Sequence, residues 1–393
     1  MKTKHTFTIP FLVCVILLTV YMLRYPQAAY QGACRGLETW SVHLLPSLLP
    51  FFIMANLLMS LGFVRFLGVL LEPVMRPVFR LPGEAGFAVA LGFTSGFPMG
   101  AVLTASLKEQ KLCTADEAAR LSAFTNNSSP LFLLTAVPVS MLEQPQLGPL
   151  LLVAHYMANL CIGILLRFTA APSPQTANHQ QSHLLSAAIM QMRQYQQEHH
   201  QSIGTLLGQA IQKGISSIIN IGGFVLFFSV LLSLLEAGGL FAWLDSVCAI
   251  ILSAVHFSPL LSSALTAGLF EMTLGAQTAA ECGADLLEQL MMISFILGWS
   301  GLSIQAQVCS ILSPQQIPTR LYCLCRPLQG VLAALFIPLF VWCCPWILTI
   351  TVSGPQLYPI ATQIPLFSFW CFALLLSASM ILTILKKLQR LFR

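Results

Sequence analysis

Charged side chains are scarce in this sequence of 393 residues. They make up 8% of the chain, whereas 56% of the residues are hydrophobic. Soluble domains carry about 25% charged residues, and 19 basic and 14 acidic side chains could not cover a soluble globule of this size. The composition therefore excludes a soluble protein and predicts an all-α polytopic membrane protein, because helices satisfy their own backbone hydrogen bonds in lipid. The lipid bilayer is its first expected partner.

Recognisable enzyme and cofactor motifs are also absent. No P-loop, dinucleotide fingerprint or nucleophile–base arrangement occurs, so we expect neither an enzyme nor a user of ATP. The twelve cysteines form no CxxC pair and no Cys/His cluster at metal spacing, so we expect neither a bound metal nor a cofactor. Membrane topology accounts for the net charge of +5, so nucleic acid is not an expected partner.

The sequence is rich in apolar stretches of about 20 residues, the length that crosses a bilayer. The first stretch follows Lys2, Lys4 and His5 and could be a cleaved signal peptide, but its length favours a retained anchor. The eight predicted spans run over 7–23, 44–62, 122–140, 147–167, 216–236, 289–311, 327–348 and 365–385.

Two further apolar stretches, 86–107 and 259–280, are interrupted at their centres by glycine, proline or polar residues. Lys and Arg collect on the cytoplasmic side of a membrane, which distinguishes a span from a re-entrant hairpin. If both stretches are hairpins, seventeen of the nineteen basic residues lie in the cytoplasm, with Arg24 and Arg35 outside. If 86–107 instead crossed the membrane, Lys108, Lys111 and Arg120 would lie on the side opposite Arg65, Arg76 and Arg80. The charges therefore favour two re-entrant hairpins, with both termini in the cytoplasm.

The resulting map contains an internal repeat with an offset of about 175 residues, in which the two hairpin tips coincide and Thr125 aligns with Ser300. The first hairpin opens from the cytoplasm and the second from outside, which predicts inverted repeats, an architecture of secondary transporters. The predicted domains are an N-terminal anchor with an external loop (1–43), a first repeat (44–167), a cytoplasmic linker (168–215), a second repeat (216–326) and C-terminal helices with a basic tail (327–393).

Polar residues of the first repeat gather at the hairpin tip and in the broken span that follows it. Gly96 and Pro98 permit a tight turn that ends a half-helix, and half-helix N-termini favour an anion. Packing alone could explain the glycines, and a helix–helix clamp could explain one or two polar residues but not five in succession inside an apolar span. The predicted substrate-binding residues are Thr94, Ser95, Gly96, Phe97, Thr125, Asn126, Asn127 and Ser128.

The second repeat supplies Glu271, the one acid that we place deep in the membrane. An intramembrane carboxylate could donate a hydrogen bond when protonated, relay a coupling proton or balance a cation, unless the tip lies at the interface and the acid is solvated. Trp299 could stack on a planar ligand. The predicted binding residues here are Glu271, Thr273, Trp299, Ser300, Ser303 and Gln305, and the coupling ion is left open between a proton and sodium.

Two motifs, SGFPMG at 95–100 and FTN at 124–126, carry a resemblance that covers most of the chain from about 35 to 330. The sequence resembles the sporulation integral membrane proteins of spore-forming Firmicutes, which belong to the nucleoside-recognition, or gate-domain, superfamily related to concentrative nucleoside transporters. The resemblance implies a role in the mother cell, moving dipicolinate across the outer forespore membrane. It leaves open whether a second copy or other sporulation membrane proteins are partners.

The residues themselves leave three functions open. The first is a secondary transporter of a small planar organic anion such as dipicolinate, a dianion that suits half-helix ends with hydroxyls and amides. The second is a transporter of a nucleoside or related heterocycle, which would also fit amides, a carboxylate and an aromatic residue. The third is a non-transporting membrane component of a sporulation complex, for which the polar residues of both hairpins would be dispensable.

Overall fold

The structure, a computed structural model, describes residues 8–170, 184–199 and 201–343. Within these ranges the chain is built of helices and contains no strand. This confirms the all-α membrane class that the composition predicts. The predicted span 365–385 and the basic C-terminal tail lie outside the described residues.

Eight α-helices form residues 8–170, together with two π-helical segments, Thr39–Leu44 and Phe132–Met141, that follow helices two and seven. The α-helices are α1 (Thr8–Arg24), α2 (Pro26–Glu38), α3 (Leu45–Ser60), α4 (Phe63–Phe79), α5 (Ala85–Ser95), α6 (Met99–Glu109), α7 (Ala115–Thr125) and α8 (Gly148–Leu166).

Eight more α-helices follow in the described residues after position 183. They are α9 (Leu184–Glu198), α10 (Ile203–Ala237), α11 (Leu240–Ala254), α12 (Ser262–Phe270), α13 (Met272–Glu281), α14 (Leu286–Trp299), α15 (Gly301–Leu312) and α16 (Arg320–Cys343).

Four helical stretches in the described part of the chain are long and apolar enough to cross a bilayer, and two bent pairs raise this number to six. The bend is 103° between α1 and α2 and 81° between α3 and α4. These six cover six of the eight predicted spans. The four unbent stretches are Pro145–Thr169, Ile203–Ala237, Leu286–Gln315 and Arg320–Trp342.

The predicted span 122–140 is unwound near its centre. Helix α7 ends at Thr125, residues 126–129 are not helical, and the helix resumes at Pro130. Asparagine and serine side chains compete for backbone hydrogen bonds, which weakens a helix. Pro130 lacks an N–H and pushes the preceding residue toward extended conformations. The break expected from the sequence is therefore present, and local chemistry explains it.

Several helices begin earlier than hydropathy predicts. Helix α10 begins at Ile203, ahead of the predicted span 216–236, and α16 begins at Arg320, ahead of 327–348. A hydropathy window stops where polar residues begin, whereas a helix continues as long as its backbone hydrogen bonds do. The residues around 320–326 therefore lie inside a helix, although the sequence assigned them to a cytoplasmic loop.

The backbone repeats between the two halves of the chain. Gly62, with a left-handed backbone, directly precedes α4, and Gly239, 177 residues later, directly precedes α11 with the same backbone. Both halves then continue with a helical hairpin, α5–α6 or α12–α13, and a broken helix. The opposite membrane orientation of the halves stays a prediction. The other matched left-handed residues are Arg80 and His256, Lys111 and Gly283, and Glu143 and Gln316, which are 172 to 176 residues apart.

Large apolar side chains remain exposed along several helices. On α11, Ile250 is 71% and Trp243 is 61% exposed. In water such surfaces would favour aggregation, but in a bilayer they meet lipid tails that are equally apolar. The polar residues show the reverse pattern: the hydroxyl and amide groups at the breaks of the helices are buried in the interior.

Candidate functional site

Asn126 joins the first broken helix to the first hairpin. Its side chain is fully buried, its Oδ1 accepts from the Ala101 N–H at 2.8 Å, and its Nδ2 donates to the Ser122 carbonyl at 2.7 Å. Ala101 lies in the first turn of α6, where backbone N–H groups have no partner within the helix. The Asn126 side chain therefore caps α6 from a neighbouring element.

Small residues allow the first hairpin to approach this break closely. Gly92 on α5 and Gly100 on α6 both lie against the Thr125 carbonyl, where any Cβ would collide with it. At the tip, Gly96 has a φ of 84°, and a Cβ there would lie 2.8 Å from the Cβ of Ser129. The first tip and the first break therefore form one packed unit.

Helix α8 holds the extended part of the break. The Ser128 N–H donates to His155 Nε2 at 3.2 Å, and the Tyr156 hydroxyl lies 3.3 Å from the Ser128 carbonyl. Asn127 donates from Nδ2 to the Phe124 carbonyl at 3.4 Å, while its buried Oδ1 has no hydrogen-bond partner in the described structure. Sequence reasoning missed His155, because one histidine in an apolar span gives no pattern that points to a distant break.

The remaining predicted residues of the first repeat lie on the same unit. Thr125 Oγ1 donates to the Leu121 carbonyl at 2.9 Å, and Thr94 Oγ1 donates to the Leu91 carbonyl at 3.3 Å. Ser95 is buried, and its Oγ has no hydrogen-bond partner among the described residues. Phe97 and Thr94 are half-buried at the tip.

Glu271 forms the tip of the second hairpin. Its backbone N–H donates to the Ala267 carbonyl at 2.8 Å and ends α12, while its Oε2 accepts from the Leu274 N–H at 2.8 Å and caps α13. An acid at a helix N-terminus is stabilised by the helix dipole. The side chain is half-buried, as is that of Thr273 in the first turn of α13. The carboxylate therefore has a structural contact of its own.

The second break lies between α14 and α15, where Ser300 and Gly301 have left-handed backbones with φ of 66° and 73°. Trp299 Nε1 donates to the Leu269 carbonyl at 3.0 Å, close to the end of α12. Gln305 Nε2 donates to the Trp299 carbonyl at 3.0 Å. Trp299 and Gln305 thus donate hydrogen bonds to carbonyl groups at the end of α12 and at the break.

The second tip lies directly against the second break, and the two halves touch at the same place. A Cβ on Gly301 would lie 2.8 Å from the Phe270 carbonyl oxygen. The Ser128 hydroxyl of the first break lies 3.8 Å from the Met272 sulfur of the second hairpin. The structure therefore brings both sets of predicted residues to one region. Ser303 lies farther along α15, where its Oγ accepts from Gln307 Nε2 at 3.3 Å.

Arg326 on α16 is a residue of this region that sequence reasoning missed. It is fully buried, and its Nη1 donates to the Asn126 carbonyl at 3.0 Å while its Nη2 donates to the Ala123 carbonyl. Its guanidinium lies 4.8 Å from the ring centre of Tyr322. Gln329, three residues later, is a signal that could have revealed it, because two polar residues then share one face of an otherwise apolar helix.

Ion pairs fasten the base of the first hairpin, away from the tip. Glu72 Oε1 accepts from Arg76 Nε at 2.6 Å, and Arg76 Nη1 lies 3.5 Å from Glu117 Oε1. Burial raises the pKa of the nearby Glu84 carboxyl. Glu72 Oε2 also accepts from the Gly83 N–H at 2.5 Å, so these contacts hold α4, the turn before α5 and α7 together and fix the base from which the tip is positioned.

Comparison with known proteins finds one matching family and two relatives. The family model, described as the nucleoside-recognition gate domain, matches residues 41–144 and 218–315, which contain both tips and both breaks. The sporulation integral membrane protein YlbJ of Bacillus subtilis (strain 168) is 38% identical over 327 residues, 82% of this chain and 80% of that protein. An uncharacterized protein of Alkalihalophilus pseudofirmus is 33% identical over 98 residues, 24% of this chain and 21% of that protein. No solved structure matches.

Proposed function

Because the chain belongs to the family of sporulation integral membrane proteins with a nucleoside-recognition gate domain, we propose that it is a secondary transporter of a small planar organic anion. The substrate in this proposal is dipicolinate, moved across the outer forespore membrane during sporulation. Dipicolinate is a flat pyridine ring with two carboxylates. The sporulation name of the relative that covers most of the chain supports this choice of process.

The meeting of two hairpin tips and two broken helices carries the proposal. Ser128 of the first break contacts Met272 of the second hairpin, and Gly301 of the second break lies against Phe270 at the second tip. Irregular backbone at membrane depth persists only where protein or a water-filled cavity satisfies its polar groups. Transporters place substrate sites at such breaks between repeats, whereas a scaffold has no need of them.

The ends of the half-helices favour an anion in this region. Helix α6 begins directly after the first tip and α13 after the second, while α15 begins at the second break and another helix begins at Pro130. Each helix N-terminus carries backbone N–H groups and the positive end of a dipole. Asn126 caps α6, Glu271 caps α13 and Ser129 accepts from the Phe132 N–H, whereas α15 has no side-chain cap. An uncapped helix end attracts negative charge, which supports a carboxylate-bearing substrate.

Transport by purified protein tests the proposal. The full chain, reconstituted in proteoliposomes, should accumulate radiolabelled dipicolinate saturably, while liposomes without protein should not. A proton gradient and a sodium gradient, imposed separately, identify the coupling ion. Dipicolinate uptake equal to that of empty liposomes contradicts the proposal.

A second candidate function is transport of a nucleoside or related heterocycle, which the description of the matching family model favours. Uridine in the same proteoliposomes separates the two candidates. Saturable uridine uptake without dipicolinate uptake supports the second. If neither compound is taken up, a non-transporting role in a sporulation complex becomes the better explanation.

A further inference from the structure

Arg326 is a buried cation without a countercharge in the described structure. Its hydrogen-bond partners are the carbonyls of Ala123 and Asn126, and no described Asp or Glu forms an ion pair with it. A guanidinium keeps its proton even when it is buried. A full positive charge therefore lies beside the first break, inside the protein.

Two carbonyl groups compensate only part of this charge. A buried ion is costly unless it is paired, and intramembrane arginines mark functional positions. The Arg326 Nε has no hydrogen-bond partner among the described residues. One N–H of the guanidinium is thus left for a ligand.

Neutral side chains donate hydrogen bonds to backbone carbonyls elsewhere in this protein. Trp40 Nε1 donates to the Ile218 carbonyl at 2.9 Å, and Trp299 Nε1 donates to the Leu269 carbonyl at 3.0 Å. These contacts satisfy a backbone carbonyl without the cost of desolvating a charge. Holding the end of α7 therefore does not by itself require an arginine, and the charge has a further use.

Gln329 supplies a second unsatisfied group on the same face of α16. It is fully buried, and neither its amide nitrogen nor its amide oxygen has a hydrogen-bond partner among the described residues. A Cβ on Gly298 would lie 2.9 Å from the Gln329 carbonyl carbon, so this part of α16 lies against α14 just before the left-handed Ser300. Arg326 thus contacts the first break, and Gln329 lies beside the second.

We propose that Arg326 and Gln329 bind a carboxylate of the substrate and make the site selective for dicarboxylates over neutral heterocycles. The inference rests on the proposed transport function and names its substrate class. A carboxylate accepts hydrogen bonds from the Arg326 Nε and the Gln329 amide nitrogen and neutralises the buried charge. The unpartnered hydroxyl of Ser95, at the first tip, is a donor for a second carboxylate. A neutral nucleoside leaves the guanidinium uncompensated.

Ligand binding to the reconstituted full chain tests the inference. The probes are dipicolinate, its uncharged diamide (pyridine-2,6-dicarboxamide), benzene-1,3-dicarboxylate and uridine. The variants are Arg326→Gln, Arg326→Lys and Gln329→Met, and the matched control is Arg320→Gln, which changes an exposed arginine on the same helix. Thermal unfolding of each variant without ligand reports its folding.

Arg326→Gln should weaken dicarboxylate binding about tenfold to a hundredfold, the loss expected for a charge-assisted hydrogen bond. Binding of the diamide should stay unchanged or improve. Arg326→Lys should keep the preference for dicarboxylates over the diamide, Gln329→Met should weaken dicarboxylate binding with unchanged unfolding temperature, and Arg320→Gln should match the wild type.

Unchanged dicarboxylate binding in Arg326→Gln overturns the inference. If that variant fails to fold, Arg326→Lys and Gln329→Met decide: wild-type dicarboxylate affinity in Gln329→Met, or loss of charge preference in Arg326→Lys, overturns it.

Failure of the proposed transport function gives a different result. If the wild type binds a dicarboxylate in an Arg326-dependent way but does not transport dipicolinate, the function fails and the inference stands. If the wild type transports dipicolinate and Arg326→Gln binds and transports it equally well, the inference fails and the function stands. Wild-type binding of uridine but of no dicarboxylate overturns both.

Discussion

The two halves of the molecule match at their periphery and differ at their centre. Of the eleven left-handed residues in the described structure, eight form pairs 172 to 177 residues apart. These pairs lie at the ends of helices outside the site. The three without such a counterpart are Gly96, Ser300 and Gly301, which lie at the first tip and the second break.

The central difference is reciprocal. In the first half the tip turns through left-handed Gly96, and the break is extended from Asn126 onward. In the second half the tip is extended at Glu271, and the break turns through left-handed Ser300. The repeat therefore preserves where the helices break, but each half breaks them with different residues. A region built in this way presents different chemistry on its two sides.

The predicted inversion of the halves should give the largest effect, an all-or-none difference in labelling. Glu109 ends α6 and Glu281 ends α13, and both are exposed. In a chain without its native cysteines, Glu281→Cys should react with a membrane-impermeant maleimide in intact cells, whereas Glu109→Cys should react only after permeabilisation. Reaction of both positions from outside would show that the hairpins open to the same side.

Adding a methyl group at a closely packed hairpin glycine should destabilise either half. Gly275 lies against the backbone of Gly268, and Gly100, its counterpart in the repeat, lies against the Thr125 carbonyl. Backbone cannot move aside for a methyl group, so Gly275→Ala and Gly100→Ala should each lower the free energy of unfolding by about 2–3 kcal/mol. Gly223→Ala, on α10 with no atom within 4 Å of its Cβ, is the matched control and should not destabilise the protein, since alanine favours a helix more than glycine does. Denaturation in detergent measures all three, and a neutral Gly275→Ala would mean that the hairpin arms are looser than described.

Removing the Asn126 side chain should affect the first half through its structure as well as its transport. Asn126→Ala removes two buried hydrogen bonds, to the Ala101 N–H and to the Ser122 carbonyl, although the Ala101 N–H keeps its bond to the Pro98 carbonyl. The loss should cost about 1–3 kcal/mol. Both the unfolding temperature and dipicolinate uptake should fall. Asn56→Ala is the control, because Asn56 donates to the Phe52 carbonyl of its own helix. Lost uptake with unchanged stability would assign Asn126 to substrate contact instead.

The second half should respond less to loss of its own cap. Glu271→Ala removes the acceptor for the Leu274 N–H, which should cost about 1 kcal/mol, while Glu271→Gln keeps an acceptor and should unfold like the wild type. Uptake driven by a pH gradient then reports the carboxylate itself. If the Gln variant binds substrate but no longer accumulates it, Glu271 carries the coupling proton. Normal uptake in both variants would show that Glu271 has no part in transport.

Much of the architecture could be predicted from the sequence because it depends on local composition. Glycine and proline interrupt the first apolar stretch at its tip, Glu271 marks the tip of the second, and consecutive polar residues interrupt the span after Thr125. Glycine, proline and runs of asparagine or serine weaken a helix wherever it packs. The positions of both hairpins and both breaks therefore followed from short segments, and the repeat followed from their spacing.

The partners of the polar groups could not be predicted in the same way. The Asn126 side chain accepts from the Ala101 N–H, 25 residues away, and the Asn126 carbonyl accepts from Arg326, 200 residues away. The sequence predicts Asn126 as a substrate contact, which stays a prediction, but it does not reveal the end of α6 that the amide caps. It placed Arg326 in a loop, since charge near a span end normally indicates the membrane surface.

The sequence by itself determined that this protein lies in a lipid bilayer, and it determined the order of the helices and the points at which they break. These features depend on hydropathy and backbone preference, which act over a few residues. Only the tertiary structure decided which buried groups satisfy one another and which are left unsatisfied. That outcome depends on helices far apart in the chain: α16 carries the guanidinium of Arg326 to the end of α7, where no Asp or Glu of the described residues forms an ion pair with it. A buried charge costs free energy unless it is paired, and no local pattern in the sequence reveals that Arg326 is buried in this way.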